Sequence, residues 1–119
     1  MRPTRRTALT LALAFVALPA MADQGWRWTD GGKFELTGLI TGAKLGGAQG
    51  LLTVEANGTV WTAEVGQPWR SKRAGLSSDM LRPGQEVVLR GERSTDPAQR
   101  VMKAEVVVIG STEHVLYPG

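Results

Sequence analysis

The 119-residue chain has no cysteine, one histidine and one tyrosine. Without cysteine there is no thiol nucleophile, no thiolate metal site and no disulfide staple. His114 alone cannot build a histidine cage, and any Ser-His-Asp triad would have to use it. Ser111 and Thr112 stand close by in sequence, but a nucleophile and its base on one strand rarely present the needed geometry. Gly-x-Gly patterns are missing from every expected strand-to-helix junction, so no Gly-rich phosphate loop is expected. There is also no internal repeat, no low-complexity tract and no block of like charge. An enzyme is not expected, and neither is a bound cofactor.

The one long apolar run lies at the N-terminus. Arg2, Arg5 and Arg6 precede the stretch from Ala8 to Ala20, and Ala20-Met21-Ala22 then supplies small residues before Asp23. This three-part order is that of a secretory signal peptide. Thirteen residues in a helix reach about 20 Å, short of a hydrocarbon core of about 30 Å, so a retained membrane anchor is the weaker reading. Thr4-Arg5-Arg6 followed by Leu9 faintly resembles a twin-arginine signal, while the general secretory route remains the default. No lipid-attachment cysteine follows. The expectation is a signal peptide over residues 1–22, cleaved after Ala22, and one soluble periplasmic domain over residues 23–119.

Cleavage changes the meaning of the charge. The formal net charge is +3, from 14 basic and 11 acidic residues. Loss of the three leader arginines leaves eleven of each sign, so the mature domain is neutral. Basicity therefore gives no argument for nucleic acid or for an anionic membrane.

The mature part reads as strands. Phe34, Leu36, Gly38 and Ile40 alternate with Glu35, Thr37, Leu39 and Thr41, a period of two that marks a half-buried strand. Glycines at 42, 46, 47 and 50 then form a flexible loop. Asn57-Gly58 between Leu51–Ala56 and Thr59–Val65 is the preferred pair for a type I′ hairpin turn. That turn puts Ala56 opposite Thr59, Val54 opposite Trp61 and Leu52 opposite Ala63, with Thr53, Glu55, Thr62 and Glu64 on the solvated face. Pro68 and Gly75 bracket a short helix over Trp69 to Ala74, and a second turn follows around Ser77 to Leu81. Pro83-Gly84 turns into a strand over Gln85–Gly91 with Val87 and Leu89 inward. Ser94 to Ala98 is a polar loop. Arg100 to Ile109 is a long strand with Met102, Ala104, Val106 and Val108 inward, and His114 to Tyr117 can add a short closing strand.

Three strands, a short helix and two further strands is the order of a five-stranded OB barrel. The expected class is all-β, a small five- to six-stranded OB-like barrel with a short helix between strands 3 and 4. A small sandwich or an open SH3-like barrel are the competing architectures.

Several short motifs support a resemblance. They are Leu36-Thr37-Gly38, the hairpin from Leu52-Thr53-Val54 to Trp61-Thr62, and Arg73-x-Gly75-Leu76. Leu81-x-Pro83-Gly84 with Val87 and Gly91, Met102-Lys103-Ala104 and Leu116-Tyr117-Pro118 complete the set. From Gly25-Trp26 to Tyr117-Pro118 the chain resembles a family of small exported bacterial proteins, a domain of unknown function. The resemblance implies a periplasmic β-barrel module and supplies no reaction. Similar proteins often open with His-His and carry Asn-Pro-His before the second strand. Here those positions read Asp23-Gln24 and Gly47-Ala48-Gln49, so a metal role resting on those histidines does not carry over.

Binding is the open question, and the four tryptophans frame it. Trp61 sits on the apolar face of the hairpin and reads as core. Trp26 and Trp28 share one side by period two, covering a barrel end, pairing with the first strand or offering a ligand platform. Trp69 stands beside Arg70 and Arg73, a combination suited to stacking or to an anion pocket. With Trp69 inward it plugs a barrel end, and this is the slightly favoured reading. With Trp69 outward it offers a carboxylate, phosphate or aromatic site. The leading function is a non-catalytic periplasmic binding or adaptor module for an unknown small molecule or protein, with Trp69, Arg70 and Arg73 as ligand contacts. The alternative is copper handling through His114, Met80 and Met102, whose imidazole and thioether groups suit Cu(I). Single-strand nucleic-acid binding needs a basic groove with stacking aromatics, which a neutral exported domain does not offer.

Overall fold

The hairpin predicted at Asn57-Gly58 is the natural starting point. β2 (Gly50–Ala56) and β3 (Thr59–Gly66) pair antiparallel with Ala56 opposite Thr59, Val54 opposite Trp61 and Leu52 opposite Ala63. Asn57 at φ 52° and Gly58 at φ 80° supply the two positive dihedrals that a type I′ turn requires. The structure, a computed structural model, describes residues 28–29 and 33–118. The leader residues 1–22, Asp23-Gln24 and Trp26 lie outside the described residues.

β1 (Phe34–Lys44) runs longer than its alternation suggests. Its first half pairs with β4 (Glu86–Arg93) and its second half with β2, with a bulge between Ile40 and Gly42. One bent strand thus serves two neighbours. α1 (Pro68–Arg73) begins on Pro68, and Gly75 at φ 82° lies just past its end. A short 3₁₀ turn over Ser78–Met80 follows. β5 (Val101–Ile109) pairs antiparallel with β4, and β6 (Thr112–Val115) folds back on its second half.

Closure comes from a pairing between distant parts of the chain. β3 runs parallel to the start of β5, with Thr62 beside Val101, Ala63 beside Met102 and Glu64 beside Lys103. The sheet order β3-β2-β1-β4-β5, joined by β3 to β5, is a closed five-stranded OB-like barrel with β6 as an added strand. The expected fold class holds, and closure rules out the sandwich and the open barrel. Leu36, Ile40, Leu52, Val54, Ala63, Val65, Val87, Leu89 and Met102 fill the interior. Trp61 is also buried and packs on Phe34 with ring centroids 5.0 Å apart.

Three expectations need correction. The inward phase of β5 slips: Gly91 pairs with Ala104 but Arg90 pairs with Val106, leaving Glu105 as an extra residue. After this bulge Val107 points into the core, and Val106 and Val108 are only half-buried on the other face. A Cβ on Gly91 would run into the Lys103 carbonyl oxygen, so the strands approach here as only glycine permits. Second, Glu64 is buried, not solvated: β5 sets Lys103 alongside it, and Arg70 and Tyr117 lie within its electrostatic reach. Third, the residues described ahead of β1, Trp28 and Thr29, lie against the end of β4, where pairing with the first strand was one expectation. Trp28 bridges to Ser94, and the Arg93 N–H donates to Thr29 Oγ1 at 3.2 Å.

Candidate functional site

α1 grows directly from the end of β3. Gln67 at its N-cap is extended and makes no side-chain cap, Pro68 presets the first turn, and Arg70, Lys72 and Arg73 fill the last turn. Cations are favoured there because the unpaired carbonyls carry partial negative charge. Ser71 is the buried residue of the helix, and Leu76 anchors the chain behind it in the core. With Ser71 inward, Trp69 is turned out, and it is 50% exposed. The expectation that Trp69 plugs the barrel is therefore corrected. The core is filled instead by aliphatic side chains, among them Val65, Leu76 and Leu116.

The three predicted contacts do come together. The Arg73 guanidinium carbon lies 5.0 Å from the Trp69 ring centroid, and that of Arg70 lies 4.5 Å from it. Arg70 is also 4.1 Å from the ring of Tyr117, whose ring in turn carries Lys103 Nζ at 4.4 Å. Arg73, Trp69, Arg70, Tyr117 and Lys103 form one alternating ladder of cations and rings across the α1 corner. Each such contact contributes about 0.5–1 kcal/mol at an exposed site.

Arg70 is held in place. Its Nε donates to Gln67 Oε1 at 2.9 Å and its Nη1 to the Leu116 carbonyl at 3.4 Å. Tyr117 is held by the β5 bulge, since the Glu105 carbonyl accepts the N–H groups of both Leu116 and Tyr117. Gly66 leaves the room they need. A Cβ there would meet Tyr117 Oη at 2.6 Å and Arg70 Cδ at 2.8 Å.

Glu64 lies within electrostatic reach of this ladder. Burial pushes its carboxyl above the usual value, while Lys103, the Gly66 backbone N–H and Arg70 pull it back down. Tyr117 is also raised, first by burial and then by the charge of Glu64, with Arg70 opposing. Sequence reasoning missed Tyr117, Lys103, Glu64 and Gly66. Leu116-Tyr117-Pro118 and Met102-Lys103-Ala104 were visible as motifs, but only the β3–β5 pairing and the Glu105 bulge bring them to α1.

A second cluster of rings and guanidinium groups surrounds Trp61. Arg93 stands 5.1 Å from the Trp61 ring and 5.5 Å from that of Phe34, and Arg100 stands 5.8 Å from Trp61. These two arginines are engaged. Arg93 Nη2 donates to the carbonyls of Pro97 and Gln99, and Arg100 Nη1 donates to Pro97 at 2.7 Å. They clamp the loop after β4 onto the barrel.

The candidate copper ligands occupy three different environments. Met102 is fully buried in the core, and Met80 is on the exposed 3₁₀ turn. His114 is buried in the β5–β6 hairpin. Its Nδ1 lies 2.8 Å from the Ala74 carbonyl oxygen. That oxygen only accepts, so Nδ1 carries the proton. His114 thereby ties β6 to the end of α1.

The chain matches no known protein family, and no curated protein is similar to it. Among the described residues no helix is long and apolar enough to cross a membrane.

Proposed function

We propose that the protein is an exported, non-catalytic binding module of the bacterial periplasm, and that its ligand or protein partner docks at the α1 corner on Trp69, Arg70 and Arg73. The observation that carries this reading is the exposure of Trp69 between two guanidinium groups. A half-exposed indole holding a preset cation is costly to leave in water and well suited to contact. The leader pattern over residues 1–22 supports the location. Copper handling has less to stand on, because Met102 is sealed in the core and His114 Nδ1 is engaged by Ala74.

The test is recovery of the wild type and Trp69→Ala from the periplasm by gentle release, followed by native mass spectrometry. The wild type should carry a bound species that Trp69→Ala loses while keeping a cooperative melt. Equal retention by a folded Trp69→Ala protein, or no bound species on either, overturns the assignment of this corner.

A further inference from the structure

The ladder at the α1 corner leaves only certain chemistry free, and that identifies a ligand class. Both rings already face the protein's own cations, Trp69 facing Arg70 and Arg73, and Tyr117 facing Arg70 and Lys103. An aromatic ligand would have to displace them. What remains is donor capacity at the cations themselves. Among the described residues the Arg73 guanidinium makes no hydrogen bond and no ion pair, and neither it nor Arg70, Lys72 or Lys103 sits in a salt bridge. A guanidinium stacked on a ring keeps its N–H fork pointing outward in its own plane, the geometry that grips a carboxylate or phosphate with two parallel bonds.

The charge count points the same way. Arg73, Arg70 and Lys103 follow one another with a single ring between neighbours, and Lys72 adds a fourth cation. Glu64, which is buried, interacts with Lys103 and Arg70, and Glu105 acts on Tyr117, so the acids near the ladder lie toward its Lys103 end and away from Arg73. Neighbouring like charges repel, and an anion with one charge offsets only one of them.

We propose that the α1 corner binds a multiply charged oxyanion, with Arg73 as its bidentate contact and Arg70 and Lys103 as supporting charges. This rests on the corner being a binding surface, and it replaces the open choice among carboxylate, phosphate and aromatic ligands with one class. The shared chemistry is two or more adjacent anionic oxygen groups, whether on a soluble molecule or on a lipid headgroup.

Calorimetric titration of protein purified from cells expressing the full chain decides it, at low ionic strength, with inorganic pyrophosphate, citrate and acetate as probes. A parallel sedimentation assay uses phosphatidylcholine vesicles with and without cardiolipin. Pyrophosphate or citrate should bind at one site at least about tenfold more tightly than acetate, and Arg73→Gln should weaken that by about tenfold with its melt unchanged. Arg73→Lys should not restore it, because a point charge lacks the fork. Arg90→Gln, which removes a cation paired with Glu35 and Glu113, should leave it intact. Arg73-dependent binding to cardiolipin vesicles, whose headgroup carries two phosphates, without binding of the soluble anions also supports the class and assigns a lipid headgroup as its source. Binding that Arg90→Gln weakens as much as Arg73→Gln is diffuse charge attraction and overturns the proposal. So does the absence of binding to pyrophosphate, citrate and anionic vesicles alike. If Trp69→Ala still loses a native bound species in that last case, the corner stands as a binding site and only the oxyanion class falls.

Discussion

Trp61 and Trp69 have the same side chain in two roles, and their substitutions separate the roles. Trp61 is buried against Phe34 under the barrel wall. Trp61→Ala removes a large core group and should cost about 3–5 kcal/mol. Trp69 is half-exposed, and its main partners are cations on its own helix. Trp69→Ala should cost about 1 kcal/mol, the scale of a pair of exposed cation–ring contacts. Chemical denaturation of the two variants checks the contrast. Equal losses would mean that Trp69 is part of the core.

Glu64 makes a second prediction at this scale. Its carboxyl is raised above the usual 4.5 chiefly by burial, so the folded state favours the protonated form more than the unfolded chain does. The stability this lends is fully present below the ordinary carboxylate range and is lost as pH rises through the raised folded value. Glu64→Gln cannot ionise. Its melting temperature relative to wild type should therefore rise between about pH 4 and pH 7. Melts across that range test it, and a difference independent of pH would show that Lys103 and Arg70 fully compensate the buried charge.

At the scale of elements, the hairpin and the helix differ in what defines them. The β2–β3 register follows from two residues whose positive φ suits the twist of the flanking strands. Gly58→Asn should be nearly neutral. Gly58→Val should lower stability by about 1–2 kcal/mol, because a β-branched residue resists φ 80°. Thermal melts distinguish them. α1 is too short to be stable by itself and is held from outside, by Leu76 in the core and by the bond between His114 and Ala74. The β5 bulge works the same way. It is invisible in the alternation of Met102 to Val108, because an extra residue shows only when a partner strand skips it.

At the scale of the molecule, closure and charge decide what the protein presents. The parallel β3–β5 contact removes two sheet edges and places Lys103 beside Glu64. Residues 23–119 carry eleven charges of each sign, yet the α1 corner is locally cationic, since Arg90 is satisfied by Glu35 and Glu113 while Arg73 pairs with no acid among the described residues. Processing makes the prediction here. Intact mass of the exported protein should correspond to a chain beginning at Asp23, because Ala20 and Ala22 occupy the small-residue positions before it. A mass that retains Arg2 to Ala22 would remove both the export and the neutrality arguments.

Local order was legible in the residues themselves. The alternation of β1, the Asn57-Gly58 turn with its register, the Pro68 start of α1 and the strand-helix-strand succession all follow from dihedral preference and period, which act over a few positions. Trp69, Arg70 and Arg73 could be grouped for the same reason, being neighbours on one short helix. The outward turn of Trp69, the burial of Glu64, the slip of phase at Glu105 and the arrival of Lys103 and Tyr117 at the corner were decided by tertiary structure alone. Each depends on which distant strand lies alongside, and pairing between segments some forty residues apart leaves no mark in the pattern of either segment.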